Sequence, residues 1–198
     1  LVTRQRAPDD GVQVDHLDLA THSNRLSGTF PQRYDTFDHA DLSPDGRVLA
    51  IVHDDVLTLW DAASARQLAA LGTPDPLAPS GAVRFSPDGK TVTVMNPRGG
   101  ARLYDIASGQ NRVSLPQTAP LLSNVAFSPD SQLCFAGTRD HVIRIWEVAT
   151  GREVGAFTGH KQDVCAVAIS PDGRTLASAS LDGTLRWWSV AARRAVAT

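Results

Sequence analysis

The sequence predicts an all-β fold made of one four-stranded antiparallel unit repeated four times, with part of another unit before them. Three observations carry this. Ser43-Pro44-Asp45-Gly46 returns as Ser86-Pro87-Asp88-Gly89, Ser128-Pro129-Asp130-Ser131 and Ser170-Pro171-Asp172-Gly173, at steps of 43, 42 and 42 residues. A second landmark keeps the same beat: Leu59-Trp60-Asp61, Leu103-Tyr104-Asp105, Ile145-Trp146-Glu147 and Trp187-Trp188-Ser189. Between the landmarks lie short apolar runs separated by turn residues, which is how strands and hairpins read. A fixed period of this length marks a repeat architecture.

The elements follow in order. Leu17-Asp18-Leu19-Ala20-Thr21 aligns with Trp146-Glu147-Val148-Ala149-Thr150, so residues 12–30 read as the tail of an earlier unit. Residues 1–11 receive no element. Full units are expected over about 31–72, 73–117, 118–159 and 160–198, their first strands near 36–42, 81–86, 123–128 and 163–169. The last copy is the clearest. Val164 to Ile169 is a first strand, and Ser-Pro-Asp-Gly follows as a turn, with Pro presetting φ and Gly free to take φ > 0. Thr175 to Ser180 is a second strand, closed by the Leu181-Asp182-Gly183 hairpin turn. Leu185 to Val190 and Arg193 to Ala197 complete the unit. Val142-Ile143-Arg144-Ile145-Trp146 is apolar at alternate and adjacent positions, as strands covered on both sides are. The single Arg in the third strands (Arg102, Arg144, Arg186) reads as an apolar stem with its head at a rim.

Composition bounds the function. Hydrophobic residues make up 42%, charged residues 20%, and the net charge is −2, which fits a folded domain and lacks a basic nucleic-acid footprint. No apolar run nears the roughly eighteen residues of a spanning helix, so no membrane partner is expected. The start has no initiator Met and no signal-peptide core. It reads as a cut, so the expectation is a piece of a longer cytoplasmic protein. Cys134 and Cys165 sit in apolar runs and read as two buried free thiols. Lys90 and Lys161 are the only lysines among 19 basic residues, an association with GC-rich bacterial coding.

The period, the four-strand unit, Gly159-His160 and the Trp-Asp ending resemble the WD-repeat β-propeller family over residues 12–198. The resemblance implies four blades plus a partial one, an open fragment of a typically seven-bladed ring. Missing blades of the parent chain, or a second copy, would complete it. It also implies a buried hydrogen-bonded chain in each blade. Carried over by position, that chain is His160, Ser180, Asp182 and Trp188 in the last copy. The third copy has Thr138, Asp140 and Trp146 without a His. The first has Asp54 and Trp60, with Val52 at the hydroxyl position, and the second has Tyr104 with Arg98 in place of the Asp. Trp donates one N–H, a hydroxyl relays, and imidazole links it to a carboxylate. His160, Ser180 and Asp182 are also the residue types of a catalytic triad. They recur in part from copy to copy, and no G-x-S-x-G elbow accompanies them, so the structural role is the better reading. Asp38-His39-Ala40-Asp41 and His53-Asp54-Asp55 lack a definite metal-ligand spacing and read as loop or strand edge.

The functional expectation is a protein–protein interaction scaffold, part of a larger bacterial regulatory or signalling protein, with no catalysis, cofactor or metal. Binding residues favour loops on a rigid frame. By the resemblance, the contact positions are His53, Pro97, Arg98, Arg139, Leu181, Lys161 and Gln162. The alternative is a propeller enzyme or small-ligand protein with its site in a central channel.

Overall fold

The computed structural model describes residues 2–6, 11–18, 23–31, 39–53, 56–72, 82–96, 100–115 and 123–197. Every element among them is a strand. Strands β1 (Val2–Arg6), β2 (Gly11–Asp18) and β3 (Ser23–Pro31) form a three-stranded antiparallel sheet. Four four-stranded sheets follow. The first is β4 (His39–Leu42), β5 (Val48–His53), β6 (Val56–Asp61) and β7 (Arg66–Gly72). The second is β8 (Val83–Phe85), β9 (Thr91–Asn96), β10 (Gly100–Asp105) and β11 (Asn111–Leu115). The third is β12 (Ala126–Phe127), β13 (Leu133–Gly137), β14 (Ile143–Glu147) and β15 (Glu153–Phe157). The fourth is β16 (Val164–Ile169), β17 (Thr175–Ser180), β18 (Leu185–Ser189) and β19 (Arg194–Ala197). Each is a plain antiparallel meander with its first strand at one edge. The first strands meet across sheets: β4 touches β8, and β12 touches β16. Residues 1–11, which carry no element in the sequence reading, hold β1 and the first residue of β2.

Local chemistry explains the meander. In each Ser-Pro-Asp turn the serine hydroxyl donates to the aspartate two residues on, at 2.6 Å in Ser43–Asp45, Ser86–Asp88 and Ser170–Asp172 and 2.5 Å in Ser128–Asp130. The turn's last residue sits in the left-handed region: φ is 74° at Gly46, 69° at Gly89 and 71° at Gly173. Ser131 takes the same conformation at φ 59°, and its hydroxyl accepts the Asp88 N–H of the neighbouring sheet at 3.1 Å.

The sheets stack in chain order through apolar faces. Ala50, Val52, Leu57 and Leu59 of the first sheet pack on Val83, Phe85, Val92 and Tyr104 of the second. Met95, Leu103 and Leu115 meet Phe127, Cys134 and Trp146 of the third. Phe135, Ile143, Ile145 and Phe157 meet Val164, Leu176 and Trp188 of the fourth. Side chains alternate along a strand. Hence Cys134 and Ala136 face backward while Phe135 faces forward, and β13 is covered on both sides. In the second, third and fourth sheets the large third-strand aromatic therefore packs on the sheet before it.

The fourth sheet departs from this pattern. Its far side is open, with Leu185 58% and Trp187 40% exposed. This also corrects the reading of the cysteines. Cys134 is buried, and burial pushes its thiol up to about 12. Cys165 is exposed, beside a register shift between Val164 and Ala166 in β16.

Candidate functional site

The most completely organised polar group among the described residues sits where the fourth sheet's turns meet the loop before β16. His160 lies just ahead of β16, Asp182 in the β17–β18 turn, Ser178 within β17 and Trp188 within β18. The Trp188 indole N–H donates to Ser178 Oγ at 2.8 Å, and Ser178 Oγ lies 2.7 Å from His160 Nε2. His160 Nδ1 is 2.9 Å from Asp182 Oδ2. The carboxylate also accepts the Lys161 and Thr184 backbone N–H groups, both at 2.9 Å, and the Thr184 hydroxyl at 2.6 Å. The side chains of His160 and Asp182 are 1% and 5% exposed. Buried polar groups persist only when partnered, and here the chain from indole to carboxylate is complete.

The hydroxyl of this chain is Ser178, where the sequence reading has Ser180. Register decides it. Trp188 lies opposite Leu176, so Ser178 is its diagonal neighbour on the same face. Ser180 is two positions further along β17, beyond the indole's reach. Its hydroxyl donates instead to the Gln162 carbonyl at 3.0 Å, and accepts the Asp182 N–H at 3.1 Å. Ser180 thus ties the turn to the preceding loop from outside the relay. Counting pairs back from the Asp-Gly turn would have found Ser178. Ser178→Ala is expected to cost about 1–3 kcal/mol, since it leaves a buried indole N–H unpartnered. Ser180→Ala should cost less, and paired urea melts check the order.

The same register argument explains the third sheet. Trp146 lies opposite Cys134, so the diagonal position is Ala136, which has no hydroxyl. The Trp146 indole N–H accordingly has no partner. Thr138 does not reach it: its hydroxyl bonds Asp140 and the Val142 carbonyl. Asp140 turns outward to Arg144 at 2.5 Å, and Arg144 also bonds Glu153 at 2.9 Å. The expected chain of Thr138, Asp140 and Trp146 is therefore a separate surface ion network plus a lone buried indole. In the first sheet, the Trp60 N–H donates to Thr58 Oγ1 of its own strand at 2.9 Å, with Ile51 at the diagonal position. Tyr104 is buried with its hydroxyl unpartnered. Asp54 and Arg98 lie outside the described residues.

Protonation follows the geometry. The Thr184 hydroxyl, with the Lys161 and His160 contacts, holds the Asp182 carboxyl far below its usual range. Its folded pKa is lower than that of an aspartate in the unfolded chain, about 3.9. The stability it contributes is therefore complete above that value and lost as pH falls below it. The gap in urea midpoint between the parent and Asp182→Asn is expected to narrow as pH falls below about 4. A gap unchanged at the lowest pH the fold survives would contradict this.

The expected contact positions fall into two groups. Arg139, Lys161, Gln162 and Leu181 are exposed, and Leu181 is 64% exposed. They come together on three turns of the third and fourth sheets. The Val164 N–H bonds the Thr138 carbonyl at 3.2 Å, and the Leu181 N–H bonds the Asp163 carbonyl at 2.9 Å. His141 Nε2 stands 3.8 Å from Asp163. Pro97 and Arg98 lie outside the described residues, as do Asp38, Asp54 and Asp55. His53 ends β5, where only its backbone is described. Among the described residues no group of three or more His, Cys, Asp or Glu side chains is placed to hold a metal ion.

The family model described as WD domain, G-beta repeat matches residues 107–147 and 151–189. Both stretches run from the end of one sheet to the third strand of the next. No curated protein matches the chain.

Proposed function

Because this chain carries WD repeats, which generally mediate contacts between proteins and are typically non-catalytic, we propose that it is an interaction scaffold. Its contact surface is the cluster of turns holding Arg139, Lys161, Gln162 and Leu181. The observation that carries this is Leu181: a large apolar side chain 64% exposed on a turn anchored from below by the buried His160–Asp182 pair. An apolar group held out on an ordered frame favours binding, because little freedom is left to lose on association. The setting we propose is a larger regulatory or signalling protein of the bacterial cytoplasm. The arginine-dominated basic residues and the two free thiols support it.

A random peptide display library selected on the immobilised chain tests the surface. Selected peptides are expected to lose about tenfold or more in affinity, roughly 1.4 kcal/mol, on Leu181→Ala or Lys161→Ala. They should keep their affinity on Arg66→Ala, on the outer strand β7. Binders indifferent to both turn variants would place the contact surface elsewhere.

A further inference from the structure

The third-strand tryptophans draw their hydrogen-bond acceptor from two places. In the fourth sheet it is Ser178, at the diagonal position of the second strand. In the first sheet it is Thr58, two residues earlier on the tryptophan's own strand, at 2.9 Å. In the third sheet neither place holds an acceptor. The diagonal residue is Ala136, and the residue two before Trp146 is Arg144, which carries only donors.

Arg144 is itself one acceptor short. Its terminal nitrogens are clamped from two sides, by Asp140 at 2.5 Å and Glu153 at 2.9 Å. With the guanidinium held by two carboxylates and the side chain only 19% exposed, Nε cannot turn to solvent. Its N–H is buried and has no partner in the protein. The Trp146 side chain is fully buried in the cluster that holds Leu103 and Phe127, and its indole N–H has no protein partner either. Ala136 lies directly opposite Arg144 and diagonal to Trp146. Two buried donors thus flank one methyl group, where the fourth sheet has the Ser178 hydroxyl. Buried donors that the protein leaves unmet are the ones that ordered water serves.

We propose that the third sheet binds one ordered water molecule beside Ala136, accepting from the Trp146 indole N–H and the Arg144 Nε–H. Chemistry selects this ligand. Two N–H donors repel a cation. Asp140 and Glu153 already neutralise the guanidinium and would repel an anion. A neutral acceptor remains, and a site beneath a fully buried tryptophan admits the smallest one, water. The water joins the buried indole to the Asp140–Arg144–Glu153 network. The third sheet then has its own path from indole to carboxylate, built from different groups than the fourth. Trp146→Phe still costs less than Trp188→Phe, because a released water returns to solvent whereas Ser178 and His160 stay buried.

Two measurements on the full 198-residue chain test it. A crystal structure is expected to show a water oxygen at about 3 Å from both nitrogens. In solution, magnetic relaxation dispersion of the water oxygen counts the waters held inside a protein for longer than it takes to tumble. Ala136→Ser places a hydroxyl where the fourth sheet has Ser178 and is expected to expel the water. The count should fall by one against the parent, and the urea midpoint should hold or rise. Equal counts in parent and variant, or a crystal structure in which either nitrogen bonds a protein group instead, would overturn the proposal. So would an Ala136→Ser chain that is less stable than the parent or does not fold, since a space that holds a water has room for a hydroxyl.

Discussion

Trp188→Ala is expected to cost about 3–5 kcal/mol, the range for emptying the site of a large buried aromatic. Trp188 is 1% exposed, and its ring centroid lies 5.4 Å from that of Phe157, tilted by 41°. It fills the junction between the third and fourth sheets together with Ile143 and Ile145. Its loss opens a cavity there and also removes the donor that Ser178 accepts. A comparison separates the two effects. Trp188→Phe keeps most of the packing but deletes the indole N–H, and so does Trp146→Phe. The Trp146 N–H has no partner to lose, so Trp188→Phe should be the more damaging, by about 1–2 kcal/mol. Urea melts of the three variants decide it. Equal losses for the two phenylalanine variants would mean that the relay through Ser178 contributes nothing.

Gly137→Ala is expected to be nearly as damaging for its size, at about 1–3 kcal/mol. A Cβ at Gly137 would lie 2.4 Å from the Val164 carbonyl oxygen and 2.8 Å from Val164 Cβ. A flexible side-chain tip can swing aside, but a backbone carbonyl in a strand cannot. The added methyl must push β16 away from β13. The bond from the Val164 N–H to the Thr138 carbonyl, already 3.2 Å, would go first. Gly137 has no left-handed φ to protect, so the cost comes from space alone. The check is the urea midpoint, with near-ultraviolet circular dichroism of the tryptophans reporting on the junction. An alanine variant as stable as the parent would show that the sheets are not held this close.

The two variants mark different degrees of legibility in the chain. Trp188 belongs to a landmark that recurs at the repeat period, and its burial follows from the pattern. Gly137 carries no such mark. It lies opposite Ile143 as Val52 lies opposite Leu57 and Met95 opposite Ala101, so comparing the copies would rate a larger residue acceptable there. Only the approach of β16 makes glycine necessary.

By itself the sequence determined the strands of the four four-stranded sheets, the turns that separate them and the antiparallel order within each of those sheets. Those are local matters: a serine hydroxyl meeting an aspartate two residues on, a glycine or serine taking φ > 0, a period of two along the strand. The tertiary structure decided what depends on a neighbour. Ser178 and Ser180 share a face of β17, and only the pairing of Leu176 with Trp188 makes Ser178 the relay. Ala136 orphans the Trp146 indole by the same register. Cys134 and Cys165 both lie in apolar runs, yet one is buried and the other exposed, because burial belongs to the packed surfaces around a strand and not to the strand. Likewise the Arg193 guanidinium donates to the Val154 carbonyl of the preceding sheet at 2.7 Å, and nothing local to either residue predicts the other. That bond exists only once two sheets are stacked.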